Sequence, residues 1–169
     1  VQSCRDGIEI RWSRATIQGS YIEDNEIAGI VAEWAESLEI NDCVVQGHED
    51  GSGIAVGHTE RVRISGCTIT GNYTGITAWG RSLVTLEDSV INSNKFGVRC
   101  FQPSCWEEDL FPSFHVFVGS LASGGNSIYN NEEKDVCPEE LSFLTSPRGG
   151  TLDTRNKFFS IPLRDSEGK

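Results

Sequence analysis

A glycine followed by Ile or Val recurs in this chain at Gly7, Gly29, Gly53, Gly75 and Gly97, at intervals of 22, 24, 22 and 22 residues. A fixed period restricts a fold more than any local propensity does. Each repeat must build the same unit and bury its apolar face against the next. The residues between the glycines repeat as well. ATIQGSYIEDN (15–25), LEINDCVVQGH (38–48), VRISGCTITGN (62–72) and VTLEDSVINSN (84–94) share the form apolar-x-apolar-x-x-small-x-apolar-x-x-Asn, with His48 in the Asn place.

Each repeat holds three short stretches of alternating apolar residues, two or three apolar positions apiece. Such stretches are too short for helices and suit short strands. Three strands per repeat make one rung of a coil, with each strand pairing in parallel with its counterpart at a spacing of about 4.8 Å. The predicted fold is all-β, a single-stranded parallel solenoid of five to six rungs. Its interior columns are Ile8, Ile30, Ile54, Ile76 and Val98; Ile17, Ile40, Ile64 and Leu86; and Ile22, Val45, Ile69 and Ile91. Ser20, Cys43, Cys67 and Ser89 form a column of small residues. Asn25, His48, Asn72 and Asn94 occupy one turn, where side-chain amides can bond between rungs. On this alignment QGHEDGSG (46–53) is a lengthened corner, the one rung turn that bulges, and DGSG supplies its flexible backbone.

With these residues aligned, GITAWGRSLVTLEDSVINSNKFGV (75–98) resembles the right-handed parallel β-helix repeats of the pectin-lyase-like superfamily and of related carbohydrate-binding and sugar-hydrolase proteins. The resemblance covers about residues 7–136. It implies a right-handed parallel β-helix. It leaves function open, because lyases, hydrolases, epimerases, adhesins and non-enzymatic scaffolds share the repeat.

Residues 1–134 are read as the β-helix, interrupted by an insertion near 101–114 that carries Cys105, Trp106, Phe111 and two prolines. Asn126, Ile128 and Asn131 restore the small, apolar and Asn slots. Residues 135–169 are read as a C-terminal cap and tail, since an open solenoid end needs cover. A chain that begins at Val1 and holds no Met is expected to be an excised domain or a processed product.

The net charge of −11 argues against binding a phosphate backbone, and it disfavours an anionic polysaccharide unless a cation bridges. No apolar run approaches the roughly 18 residues of a membrane helix. Of six cysteines, Cys43 and Cys67 fill a slot that wants a small buried group and are read as thiols; a Cys43–Cys67 bridge and a local Cys100–Cys105 bridge stay open. Without a CxxC or His-x-x-x-His pair, no metal site and no cofactor are expected. Asn72 opens a glycosylation sequon but falls in the inward ladder, so it is discounted. Oligomeric state and compartment are left open, with buried thiols leaning toward a reducing one.

Polygalacturonase-type β-helices carry Asn-x-Asp, Asp-Asp and Gly-His-Gly with Arg-x-Lys. Here Gly57-His58 and Arg61-Val62-Arg63 match in part, without the third glycine, the Lys or the Asp-Asp pair. The outer face of the first sheet is more informative. Alternation sends Glu9, Val31, Ala55, Thr77 and Arg99 outward, then Arg11, Glu33, Gly57, Trp79 and Phe101, with Trp12, Trp34 and His58 at the following turn. Sugars stack on flat aromatic faces, and exposed Trp needs a reason. The favoured reading is a non-catalytic binding or scaffold module for an oligosaccharide, with Trp12, Trp34, Trp79, Phe101 and Arg99 as ligand residues. One alternative is a polysaccharide-active enzyme using His58, Arg61 and Arg63. Another is a protein-interaction segment of a larger protein.

Overall fold

A computed structural model describes residues 1–59, 61–80, 82, 84–100 and 126–137. Four complete rungs stand in order: β1 (Asp6–Arg11), β2 (Arg14–Gln18) and β3 (Tyr21–Glu23); β4 (Ala28–Glu33), β5 (Ser37–Asn41) and β6 (Val44–Gln46); β7 (Ser52–Gly57), β8 (Val62–Ser65) and β9 (Thr68–Thr70); β10 (Thr74–Trp79), β11 (Val84–Glu87) and β12 (Val90–Asn92). Further strands are β13 (Phe96–Cys100), β14 (Ser127–Tyr129) and β15 (Lys134–Cys137). Strands one rung apart pair in parallel, giving sheets of six (β1-β4-β7-β10-β13-β15), four (β2-β5-β8-β11) and five strands (β3-β6-β9-β12-β14).

The apolar columns set the register. Ile8, Ile30, Ile54, Ile76 and Val98 face one another in sequence, and Val136 of β15 continues the row across the expected helix–cap boundary. Ile17, Ile40, Ile64 and Leu86 form the second column, and Ile22, Val45, Ile69, Ile91 and Ile128 the third. A one-residue slip would turn each of these side chains to solvent. Each fully buried Ile contributes about 1.5–3 kcal/mol. Cys43 and Cys67 are buried free thiols; the Cys43 thiol donates to the Asn41 carbonyl at 3.2 Å and the Cys67 thiol to that of Ser65 at 3.3 Å.

The corners follow a rule of their own. Every described residue with positive φ falls in one of three columns, one per corner of the coil: Trp12, Trp34, His58 and Gly80; Gly19, Asp42, Gly66 and Asp88; and Ser3, Asp24, Gly47, Gly71, Ser93 and Asn130. A left-handed residue bends the chain from one sheet into the next, which Gly, Asp and Asn do at little cost.

The third of these corners leads into the Asn ladder. The backbone N–H of Asn72 donates to Asn94 Oδ1 at 3.0 Å and that of Asn94 to Asn131 Oδ1 at 3.1 Å. The N–H of Cys4 makes the same bond to Asn25 Oδ1 at 3.1 Å, so Cys4 occupies the ladder slot at the N-terminal end. Between the ladder residue and the first sheet lie Glu26 and Ile27 in the second rung, Glu49 to Gly51 in the third, and only Tyr73 and Lys95 in the next two. The His48 corner is therefore the longest, closed by the Gly51 N–H on the His48 carbonyl at 3.0 Å. It is not alone in bulging, because the Asn25 corner also carries an extra residue. Asn72 is buried in the ladder, which removes it as a glycan acceptor in the folded chain.

Candidate functional site: a groove on the first sheet and an aromatic corner

The outward positions of the first sheet change size from rung to rung, and the change makes a groove. On the second and third rungs they hold Ala28, Val31 and Glu33, then Ser52, Ala55 and Gly57; the first rung carries Glu9 and Arg11, and the fourth ends in Trp79. Large groups on the first and fourth rungs, with small side chains at most positions between, leave a groove of about 470 Å³ lined by Ile27 and floored by Ala28, Val31, Ser52 and Ala55. Trp79 bounds it at one end, and Arg5, Asp6, Glu9 and Arg11 at the other. Trp79 and Gly57 are register partners, and the indole lies over the glycine: a Cβ at position 57 would stand 2.2 Å from Trp79 Cε2. Only a residue without a side chain lets the ring lie down there. Ser52 and Thr77 share a hydroxyl–hydroxyl hydrogen bond of 2.7 Å on the same face.

The charged end is internally paired. Arg11 Nη2 lies 2.6 Å from Glu9 Oε1 and 3.6 Å from Glu33 Oε2, and Arg5 Nε lies 4.0 Å from Asp6 Oδ2. Arg11 and Glu33 thus form the cross-strand pair that their register dictates.

Trp12 and Trp34 belong to a different arrangement from Trp79. They stand at the corner after the first sheet and stack along the solenoid axis, with ring centroids 5.4 Å apart and planes at 8°. Trp34 stacks on His58 in turn, at 4.0 Å and 3°. The Trp34 ring therefore has neighbours on both faces, and among the described residues of this stack the outer face of Trp12, 71% exposed, is open to a flat ligand. All three rings sit on left-handed backbone, where a bulky residue costs roughly 1–2 kcal/mol. The fourth rung has Gly80 there, so the fold itself does not require a ring. Aromatic pairs return about 0.5–1.5 kcal/mol each, which offsets much of that cost.

The other sequence candidates have separate surroundings. Arg99, expected to point outward to a ligand, is buried, with its guanidinium 3.9 Å from the Phe96 ring centroid. Phe101 lies outside the described residues, as do the insertion near 101–114 and most of the expected cap. His58 is part of the stack. Arg61 is exposed on the link into β8. Arg63, on the outer face of the second sheet, donates from Nε to Glu87 Oε2 at 3.0 Å, and that bond raises its pKa above the usual guanidinium value. Among the described residues no group of three or more His, Cys, Asp or Glu could hold a metal ion.

The row of small residues beneath Trp79 was not singled out from sequence, although the outward columns contain it. A run of Ala and Gly at outward positions, flanked by a Trp one rung on, is the signal that could have found it. Against known proteins, a family model described as a right handed beta helix region matches residues 1–134. No curated protein and no solved structure gives a match.

Proposed function

The chain belongs to the right-handed β-helix family, and from that premise we propose that it is a non-catalytic binding module whose ligand is a carbohydrate held in the first-sheet groove against Trp79. The observation that carries this reading is the indole laid over Gly57 beside a floor of small side chains. A pyranose ring presents one flat C–H face and a rim of hydroxyls. An aromatic ring serves the first, and fixed carboxylate, guanidinium and hydroxyl groups serve the second. Glu9, Arg11 and Ser52 supply such groups within reach of the groove.

The corner stack gives secondary support. Its rings are kept in a backbone conformation that disfavours them, and strain of that kind collects at functional positions. The outer face of Trp12 would extend the contact surface, while Trp34 holds Trp12 in place. Binding is favoured over catalysis because Arg63 is engaged by Glu87 on the second sheet, while His58 stands in the corner stack, so the two do not converge on one site.

Affinity electrophoresis through gels containing a panel of polysaccharides tests the proposal. At least one polymer is expected to retard the wild-type chain and to lose its effect on Trp79→Ala, while Arg63→Ala stays retarded. Retardation that persists in Trp79→Ala with Trp12→Ala would reject the groove. Release of reducing ends that disappears in His58→Ala would replace the binding reading with the enzymatic one.

A further inference from the structure

We infer that the groove selects an uncharged glycan over a uronate-containing one; this rests on the groove being the glycan site. The charges around it decide the matter. Its lining includes two guanidiniums and two carboxylates, and each guanidinium has a carboxylate partner: Arg5 with Asp6 at 4.0 Å, and Arg11 with Glu9 at 2.6 Å and Glu33 at 3.6 Å. A sugar carboxylate entering this end would have to take Arg11 from two acids already beside it. The like charges would then stand within a few ångströms of one another, where repulsion exceeds what solvent screens. The chain as a whole carries −11 and repels a polyanion before contact.

An uncharged sugar meets the opposite situation. Its vicinal hydroxyls both donate and accept, so a carboxylate and a guanidinium held side by side can bind them without either ion losing its partner. The apolar part of the floor, Ala28, Val31 and Ala55, suits a C–H face and offers a carboxylate no donor, and the Ser52 hydroxyl beside it already shares a hydrogen bond with that of Thr77. The ion pairs are largely solvent-exposed and contribute little to folding. Their consequence is selectivity: they leave the groove polar and neutral.

The test is calorimetric titration of the wild-type chain with oligosaccharides of matched length, one series from neutral glucans, xylans and mannans and one of oligogalacturonate, in chelator and again in calcium. At least one neutral series is expected to bind about tenfold or more tighter than oligogalacturonate, a difference of about 1.4 kcal/mol per tenfold. Its affinity should change less than about twofold with salt, since no counterion is released. The double variant Glu9→Gln, Glu33→Gln frees Arg11 and is expected to gain about tenfold for oligogalacturonate. Oligogalacturonate binding as tight as any neutral series, in either buffer, would overturn the selectivity and leave the glycan site standing. Binding of neither class would overturn the glycan reading itself.

Discussion

Replacing His48 by Asn is expected to leave the protein nearly as stable at neutral pH and to remove a pH dependence that the wild type shows. The imidazole is fully buried in the Asn ladder. Its Nδ1 lies 2.7 Å from Asn72 Oδ1 and its Nε2 3.1 Å from Asn25 Nδ2. Asn72 directs its amide nitrogen to Asn94 Oδ1 at 2.9 Å, so the oxygen facing His48 accepts and Nδ1 carries the proton. Nε2 then accepts from the Asn25 amide. A second proton would sit on Nε2 and confront that donor. Burial pushes the His48 pKa below its ordinary value, against smaller opposing effects from the Asn72 hydrogen bond and the Asp24 charge. The unfolded chain, with His near 6.5, therefore binds more protons than the folded one. Stability from this residue is complete above that unfolded pKa and is lost as pH falls below it, at about 1.4 kcal/mol for each unit of depression. His48→Ala removes one hydrogen bond from Asn25 Nδ2 and one from Asn72 Oδ1, which keeps the backbone N–H of residue 48, and empties the buried imidazole's space; it is expected to cost about 2–5 kcal/mol at pH near 8. His48→Asn restores the residue used at the other rungs and should fall within about 1 kcal/mol of wild type there. Urea unfolding followed by circular dichroism at about pH 8, 6.5 and 5 reads these differences. Curves for wild type and His48→Asn that fall in parallel with acid would refute the reasoning, since carboxylate effects are common to both.

Three more outcomes follow from the same geometry. Gly57→Val forces the Trp79 indole off its seat and should weaken glycan binding about tenfold or more in titration calorimetry without unfolding the chain; unchanged binding would mean that the indole's placement is irrelevant. Ile64→Ala, in the middle of its column, should lower unfolding free energy by about 2–5 kcal/mol in urea, and a loss below about 1 would contradict tight column packing. The Cys67 thiol is pushed up to about 11 by burial while Cys4 is exposed, so peptide mapping after alkylation of the native chain should find Cys4 modified and Cys67 protected until denaturant is added.

The register of all three sheets was legible because a period-2 pattern repeated every rung leaves one alignment that buries every Ile column together. The ladder was legible for the same reason, including His48 in an Asn slot. The corner lengths were less so: counting from Gly53 exposed the Glu49–Gly51 bulge but hid the extra residue at Ile27, which only strand pairing reveals. The Trp column was read correctly as a column. Which ring faces stay open was not legible, because sequence gives the position of a ring and not the direction of its plane. Stacking along the axis consumes the faces of Trp34 that a sugar would need. Arg99 shows the converse. Alternation assigns it to the outer side of the strand, yet its guanidinium packs on Phe96, a contact between neighbours on one strand that a period-2 rule does not weigh. The partner of Arg63, Glu87, lies one rung on and slightly out of register, beyond what pairwise alternation specifies.

The most direct test of the groove is a titration of isotopically labelled protein with a neutral oligosaccharide, read by amide and indole chemical shifts. Changes are expected at Ala28, Val31, Ser52, Ala55 and Gly57 and at the Trp79 indole N–H. Thr16, Glu39, Arg63 and Thr85, on the outer face of the second sheet, should stay still, and the sugar's own anomeric signals should not change with time. Shifts centred on the second sheet, or new anomeric signals from a cleaved sugar, would contradict a non-catalytic groove built around Trp79.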